Sequence, residues 1–235
     1  YLRIQSQNNG VVAVTDTAGS AIPDSGLVHE YRFAEGSGST FQDTASDVDG
    51  SVSGATWQSG AGTGGYYLDL DGTDDEPKTD SNLSVSGTED RTLIVWLKPH
   101  ETGDYWVTGT NDYTGGRFPV GFSSNAVFGD LHFSSYSISG LDYSNYDGKW
   151  TCVAITVDYP TISARVDMGA STEFTGSDDN SDLDTDTAPW IFGTRYYGSS
   201  NYAQVDIGGA WMYNRVLSDS ELVDFRESTK GDYGF

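Results

Sequence analysis

The chain has a single cysteine, Cys152, in 235 residues, so no intramolecular disulfide can staple it. Cys152 stands in the alternating run WTCVAITVDY, where a small buried side chain is expected. Basic residues are almost as scarce: 12 Lys and Arg face 35 Asp and Glu, a formal net charge of −23. Lys occurs at Lys78, Lys98, Lys149 and Lys230 alone. A chain this short of cations has no basic patch to neutralise phosphates, which excludes nucleic acid as a partner and disfavours anionic membrane surfaces. No apolar run approaches the length of a membrane span, so no membrane insertion is expected. Proline is also sparse, with 6 residues, most of them near the ends of apolar runs where a missing N–H does least harm.

What is present is aromatic and turn-forming. The chain carries 15 Tyr, 10 Phe and 6 Trp, too many for a disordered acidic segment, and 29 Gly that suit tight turns between short strands. The length fits one large β domain with a proper core. A charge of −23 repels itself and opposes compaction at low salt, whereas at molar salt the Debye length falls to roughly 3 Å. Acidic surplus with few Lys is therefore expected of a protein that works in brine. An ordinary acidic secreted protein is the alternative.

Residues 1–25 read apart from the rest. Two strand-like runs surround Asn8-Asn9-Gly10, a favourable hairpin turn, and TAGSAIPDSG follows as a linker. The chain starts at Tyr1 with neither Met nor a leader-like stretch, which suggests processing or a piece of something longer. From Gly26 to Phe235 strand-like runs follow one another, among them LVHEYRF, YYLDLDG, TLIVWLKP, AVFGDLHFS, WTCVAITVDY and QVDIGGAWMYN. TLIVWLKP is apolar on successive residues, the mark of a strand covered on both faces. Ser218-Asp219-Ser220-Glu221 is a capping box that opens one short C-terminal helix. The expected fold is all-β, an antiparallel two-sheet sandwich with that single helix.

Six segments in order carry a resemblance. They are Tyr31 to Gly38 (YRFAEGSG), Gly54-Ala55-Thr56-Trp57 after the Asp43–Gly50 loop, Leu70 to Asp75 (LDGTDD), Trp96-Leu97-Lys98-Pro99, Asp147 to Trp150 (DGKW) leading into VAITVD, and Tyr213 to Ser218 (YNRVLS). Together they resemble the laminin-G-like, concanavalin-A-type jelly rolls of secreted and surface proteins. The resemblance implies an extracellular recognition module over residues 26–235. It also implies a structural calcium held by Asp43 and Asp47 against an acidic pair on the last strand. That pair is Gly208-Gly209 here, and Asp206 is the nearest substitute.

No catalytic residue is expected. A Glu-x-Asp-x-x-Glu strand, which would announce a pair of glycosidase carboxylates, is absent. His29, His100 and His132 lie on different segments with no partner pattern, and there is no Gly-x-Ser-x-Gly elbow or zinc spacing. The acidic stretch Asp178–Asp186 begins like an EF-hand, but Leu183 stands where Gly is required and Pro189 where the closing Glu would be.

Ligand contact is expected instead from aromatic residues beside Gly/Ser/Asn loops, because sugar C–H faces stack on rings while hydroxyls meet amides and carboxylates. Tyr105, Trp106 and Tyr113 flank one such loop, and Tyr196, Tyr197 and Tyr202 another. The partner expected is a surface glycan or glycoprotein receptor, at a cell or virion surface, with the N-terminal arm serving as a stalk or oligomer contact. The alternatives are a structural surface-layer or virion decoration module without free ligand, and a glycan-cleaving enzyme.

Overall fold

The run RTLIVWLKP, Arg91–Pro99, is buried at every position except Lys98, and it forms the centre of the molecule. The computed structural model describes residues 3–6, 12–15, 22–100, 105–110, 118–130, 135–171, 173–194 and 202–235. In chain order its strands are β1 (Arg3–Ser6), β2 (Val12–Thr15), β3 (Leu27–Tyr31), β4 (Thr40–Phe41), β5 (Gly50–Ser51), β6 (Thr56–Ser59), β7 (Tyr66–Asp71), β8 (Lys78–Thr79) and β9 (Arg91–Pro99). They continue with β10 (Tyr105–Thr110), β11 (Val120–Phe122), β12 (Ala126–Asp130), β13 (Ser135–Ser139), β14 (Thr151–Asp158), β15 (Thr161–Val166), β16 (Phe174–Asp179), β17 (Trp190–Phe192) and β18 (Gln204–Tyr213). Helix α1 (Asp219–Thr229) follows.

Two antiparallel sheets form a sandwich. One has the order β13-β12-β11-β10-β17-β8-β5-β4, the other β16-β15-β14-β9-β18-β7-β6, with β3 also pairing β18. β1 and β2 make a separate hairpin in the register Ser6↔Val12; its expected turn at Asn8-Asn9-Gly10 lies outside the described residues.

The continuous apolar pattern of β9 has a clear cause. Leu93, Val95 and Leu97 point into the core between the sheets, beside Val153, Ile155 and Phe192. Ile94 and Trp96 point the other way, into a second core formed with Trp211, Leu222, Phe225 and Tyr233 under the C-terminal helix. A strand at the centre of a sandwich and also roofed by a helix must be apolar on both faces. Cys152 sits in that second core, fully buried, and burial pushes its thiol up. The capping box forms as expected: the Ser218 N–H donates to Glu221 Oε2 at 2.8 Å, and the Glu221 N–H to Ser218 Oγ at 3.4 Å. Arg226 on α1 pairs with Asp167 at 2.7 Å and fastens the helix to the end of β15.

Gly208 and Gly209 owe their identity to this roof. A Cβ on Gly208 would lie 2.3 Å from the Tyr233 ring, and one on Gly209 2.4 Å from the Trp211 ring. The Tyr233 hydroxyl donates to the Gly208 carbonyl at 2.9 Å. Aromatic packing, not an acidic pair, occupies this part of the last strand. Among the described residues no helix is long and apolar enough to cross a membrane.

Candidate functional site

Strands β10 to β13 place one row of side chains across the outer face of their sheet. The register runs Trp106↔Gly121↔Phe128↔Ser137. Alternation explains who faces out: β13 reads exposed, buried, exposed, buried, exposed, so Ser135, Ser137 and Ser139 look outward while Tyr136 and Ile138 fill the core. Gly121 lies between the two aromatic residues of the row. A Cβ there would stand 2.8 Å from Phe128 Cζ. Without it the Trp106 and Phe128 rings meet edge to face, centroids 4.7 Å apart and planes at 69°.

These rings line one wall of a groove of about 460 Å³, which Ser123, Asn125, Ser135 and Ser137 edge with hydroxyl and amide groups. The volume lies within the range of small-molecule sites, roughly 300–1,000 Å³. Tyr136 forms the floor; its hydroxyl donates to the Pro119 carbonyl at 3.0 Å, and full burial drives its phenol far above the ordinary range. That phenol stays neutral. The described lining holds no ionisable group other than this tyrosine. Chemically the described lining offers an apolar face and neutral hydrogen bonds, which suits polyhydroxylated ligands.

Trp106 is half-buried and part of this recess. Tyr105 is not. Adjacent strand residues point to opposite faces, so Tyr105 is 4% exposed, stacked on Phe122 at 6.0 Å and edge-on to Tyr143 inside the core. Tyr202 is half-buried just before β18, its hydroxyl 3.4 Å from Glu76 Oε1; burial first and then Glu76 raise its phenol. It is not part of the groove lining. Tyr113, Tyr196 and Tyr197 lie outside the described residues. Phe128 and the serines of β13 were missed; the S-x-S-x-S alternation of Ser135, Ser137 and Ser139 was the available signal.

The residues expected to hold calcium do not form a cation site. Asp43 is consumed internally: Oδ1 accepts the N–H groups of Glu30, Ala45 and Ser46, while Oδ2 accepts the Ser46 hydroxyl and faces His29 Nδ1 at 2.7 Å. Asp206 is held by Lys98 Nζ and His100 Nε2, each at 3.0 Å. Asp47 is exposed. Protein cations and N–H donors take the carboxylate oxygens a metal would need, so this set does not fit calcium.

Among the described residues one group of three acidic side chains does converge, Asp71, Asp74 and Asp75, with ligand atoms within 4.8 Å. Asp75 closes the turn by accepting the N–H groups of Asp71 at 2.5 Å and Gly72 at 3.3 Å. Burial, together with the Asp71 charge, lifts its carboxyl to about 6.

The family model for the concanavalin A-like lectin/glucanases superfamily matches residues 71–223. The chain belongs to that superfamily. Solved structures with the same sandwich include a Trypanosoma rangeli sialidase mutant displaying trans-sialidase activity, 17% identical, with a TM-score of 0.63 over 91% of this chain and 34% of the sialidase. The binding domain of Paraclostridial Mosquitocidal Protein 1 matches at 17% identity, TM-score 0.64, covering 84% of this chain and 51% of that one. The receptor binding domain of a botulinum neurotoxin C/D mosaic serotype matches at 16% identity, TM-score 0.63, covering 84% and 50%. This lectin-fold chain thus spans about a third of the sialidase and about half of the toxin domains. No curated protein sequence matches it. At these identities the shared property is the fold.

Proposed function

We propose that the protein is an extracellular recognition domain that binds a neutral surface glycan, free or on a glycoprotein receptor, in the groove between Trp106 and Ser137. One observation carries the reading: an edge-to-face aromatic pair, set across a glycine, lines a recess edged by hydroxyls and an amide. Sugars present C–H faces to such rings and hydroxyls to such edges. The toxin binding domains with the same sandwich support a recognition role. The glycan-cleaving alternative needs a carboxylate pair, and the described groove lining presents none. The charge of −23 supports a high-salt setting, a cell or virion surface in brine.

A glycan array probed with the whole chain in about 2 M KCl tests the proposal, with Trp106→Ala beside the wild type. Losing an aromatic contact of about 1–2 kcal/mol weakens binding roughly five- to thirty-fold. Binding that is indifferent to Trp106→Ala would move the site elsewhere.

A further inference from the structure

The three histidines are scattered in sequence, but the fold surrounds one of them with partners. His29 on β3 is 2% exposed. The loop after β4 brings in Asp43 through a bridge between Tyr31 and Asp43, and the loop between β8 and β9 brings in Ser84. His29 Nδ1 lies 2.7 Å from Asp43 Oδ2, and His29 Nε2 lies 3.3 Å from Ser84 Oγ. The ring stacks at 6° on Tyr31, which fixes its plane.

The protonation pattern follows from the partners. Asp43 is fully buried at its side chain; burial pushes its carboxyl up, but His29, Ser46 and the N–H groups of Glu30 and Ala45 outweigh it and hold the group at about 2. An ionised carboxylate at Nδ1 selects the tautomer with the proton there, so Nε2 presents its lone pair. That lone pair faces Ser84, whose N–H and hydroxyl both stand 3.3 Å away. The backbone N–H and the hydroxyl of Ser84 share that one lone pair at equal distance, and the hydroxyl contact tightens when substrate binds. Ser84 itself is exposed. Nucleophile, base and orienting acid thus stand in the relation that activates a serine.

We propose that Ser84 is a nucleophile, His29 its general base and Asp43 the positioning residue, in a centre that hydrolyses small uncharged carboxylic esters. Ser84 Oγ attacks the ester carbonyl carbon while its proton passes to His29 Nε2. The carbonyl–alkoxide bond then breaks and the same proton leaves with the alcohol. Water repeats the sequence on the acyl-serine: its proton goes to Nε2, its oxygen to the acyl carbon, and the proton returns to Ser84 as the acid departs. Uncharged esters are specified because a chain of −23 repels anionic ones. The centre uses none of the groove's residues and stands or falls independently of glycan binding.

The same contacts also tie the Ser84 loop to β3, so loss of stability on mutation would not distinguish the two roles. Covalent reactivity does. The whole chain is treated with a fluorophosphonate probe and mapped by mass spectrometry, and p-nitrophenyl acetate hydrolysis is followed in parallel. The expected result is one adduct, on Ser84, absent in Ser84→Ala. Hydrolysis by Ser84→Ala falls roughly a hundredfold or more. Asp43→Asn, which no longer fixes the tautomer, labels more slowly by a similar factor and loses the wild-type pH profile of labelling. No adduct on the wild type, an adduct on another residue, or hydrolysis unchanged in Ser84→Ala overturns the proposal.

Discussion

Trp106 and Phe128 sit on strands that are not neighbours, yet their ring centroids stand 4.7 Å apart because Gly121, on the strand between them, has no side chain. The proposed recognition surface is therefore set by an absence, and it is sensitive to one added methyl.

Gly121→Ala is the sharpest probe of that arrangement. Its Cβ would lie 2.8 Å from the Phe128 ring and 2.7 Å from the Tyr105 carbonyl, so ring and strand must both yield. Overpacking of this kind costs about 1–3 kcal/mol. The melting temperature falls by several degrees, and ligand binding falls at least as far as in Trp106→Ala. Thermal melts and a binding isotherm on the same preparation check both.

Salt is the second lever. With 35 acidic and 12 basic residues, self-repulsion is screened as the Debye length shrinks from about 10 Å at 0.1 M to about 3 Å at 1 M. The melting temperature rises between about 0.1 M and 3 M KCl. A flat curve over that range contradicts the brine reading.

Two carboxyls pull the acid limb in opposite directions. Asp43 is held at about 2, below its ordinary 3.8, so its stabilisation is present above about pH 4 and is lost as the pH falls through 2. Asp75 is raised to about 6, so its contribution is favourable below 3.8 and is lost as the pH rises through 6. Asp75→Asn keeps an oxygen for the Asp71 and Gly72 N–H groups and removes the buried charge. It should melt higher than wild type near pH 8, by on the order of 2 kcal/mol, and match it near pH 4. An Asn variant that is less stable near pH 8 contradicts the assignment.

The helix roof gives a fourth prediction. Gly208→Ala drives a Cβ to 2.3 Å from the Tyr233 ring and 3.0 Å from Trp150. It destabilises the chain by about 1–3 kcal/mol without touching the groove. Urea unfolding measures the loss, and an unchanged glycan isotherm at low denaturant separates it from Gly121→Ala.

Much of the sandwich was legible because its signals are local. The two-faced apolar run of β9 and the Ser218 capping box depend on spacing within a few residues, and both elements form where expected. The site was less legible. Tyr105 and Trp106 read alike beside a polar loop; strand alternation turns Tyr105 into the core and leaves Trp106 half-buried on the other face. Phe128 resembles any strand residue; its contact with Trp106 follows from Gly121 on the neighbouring strand, a pairing known only from the register. Asp43 and Asp206 matched a calcium pattern by position, yet each is committed to a partner from elsewhere, His29 for one, Lys98 and His100 for the other. Ser84 and His29 are 55 residues apart, and nothing in their flanking sequence announces that they meet.

The most direct test of the recognition site is calorimetric titration of a neutral oligosaccharide selected on the array, at about 2 M KCl, into wild type and Trp106→Ala. Binding at one site on the wild type, weakened roughly five- to thirty-fold in the variant with no change in melting temperature beyond a few degrees, is the predicted result. Equal affinity in the two proteins would contradict it.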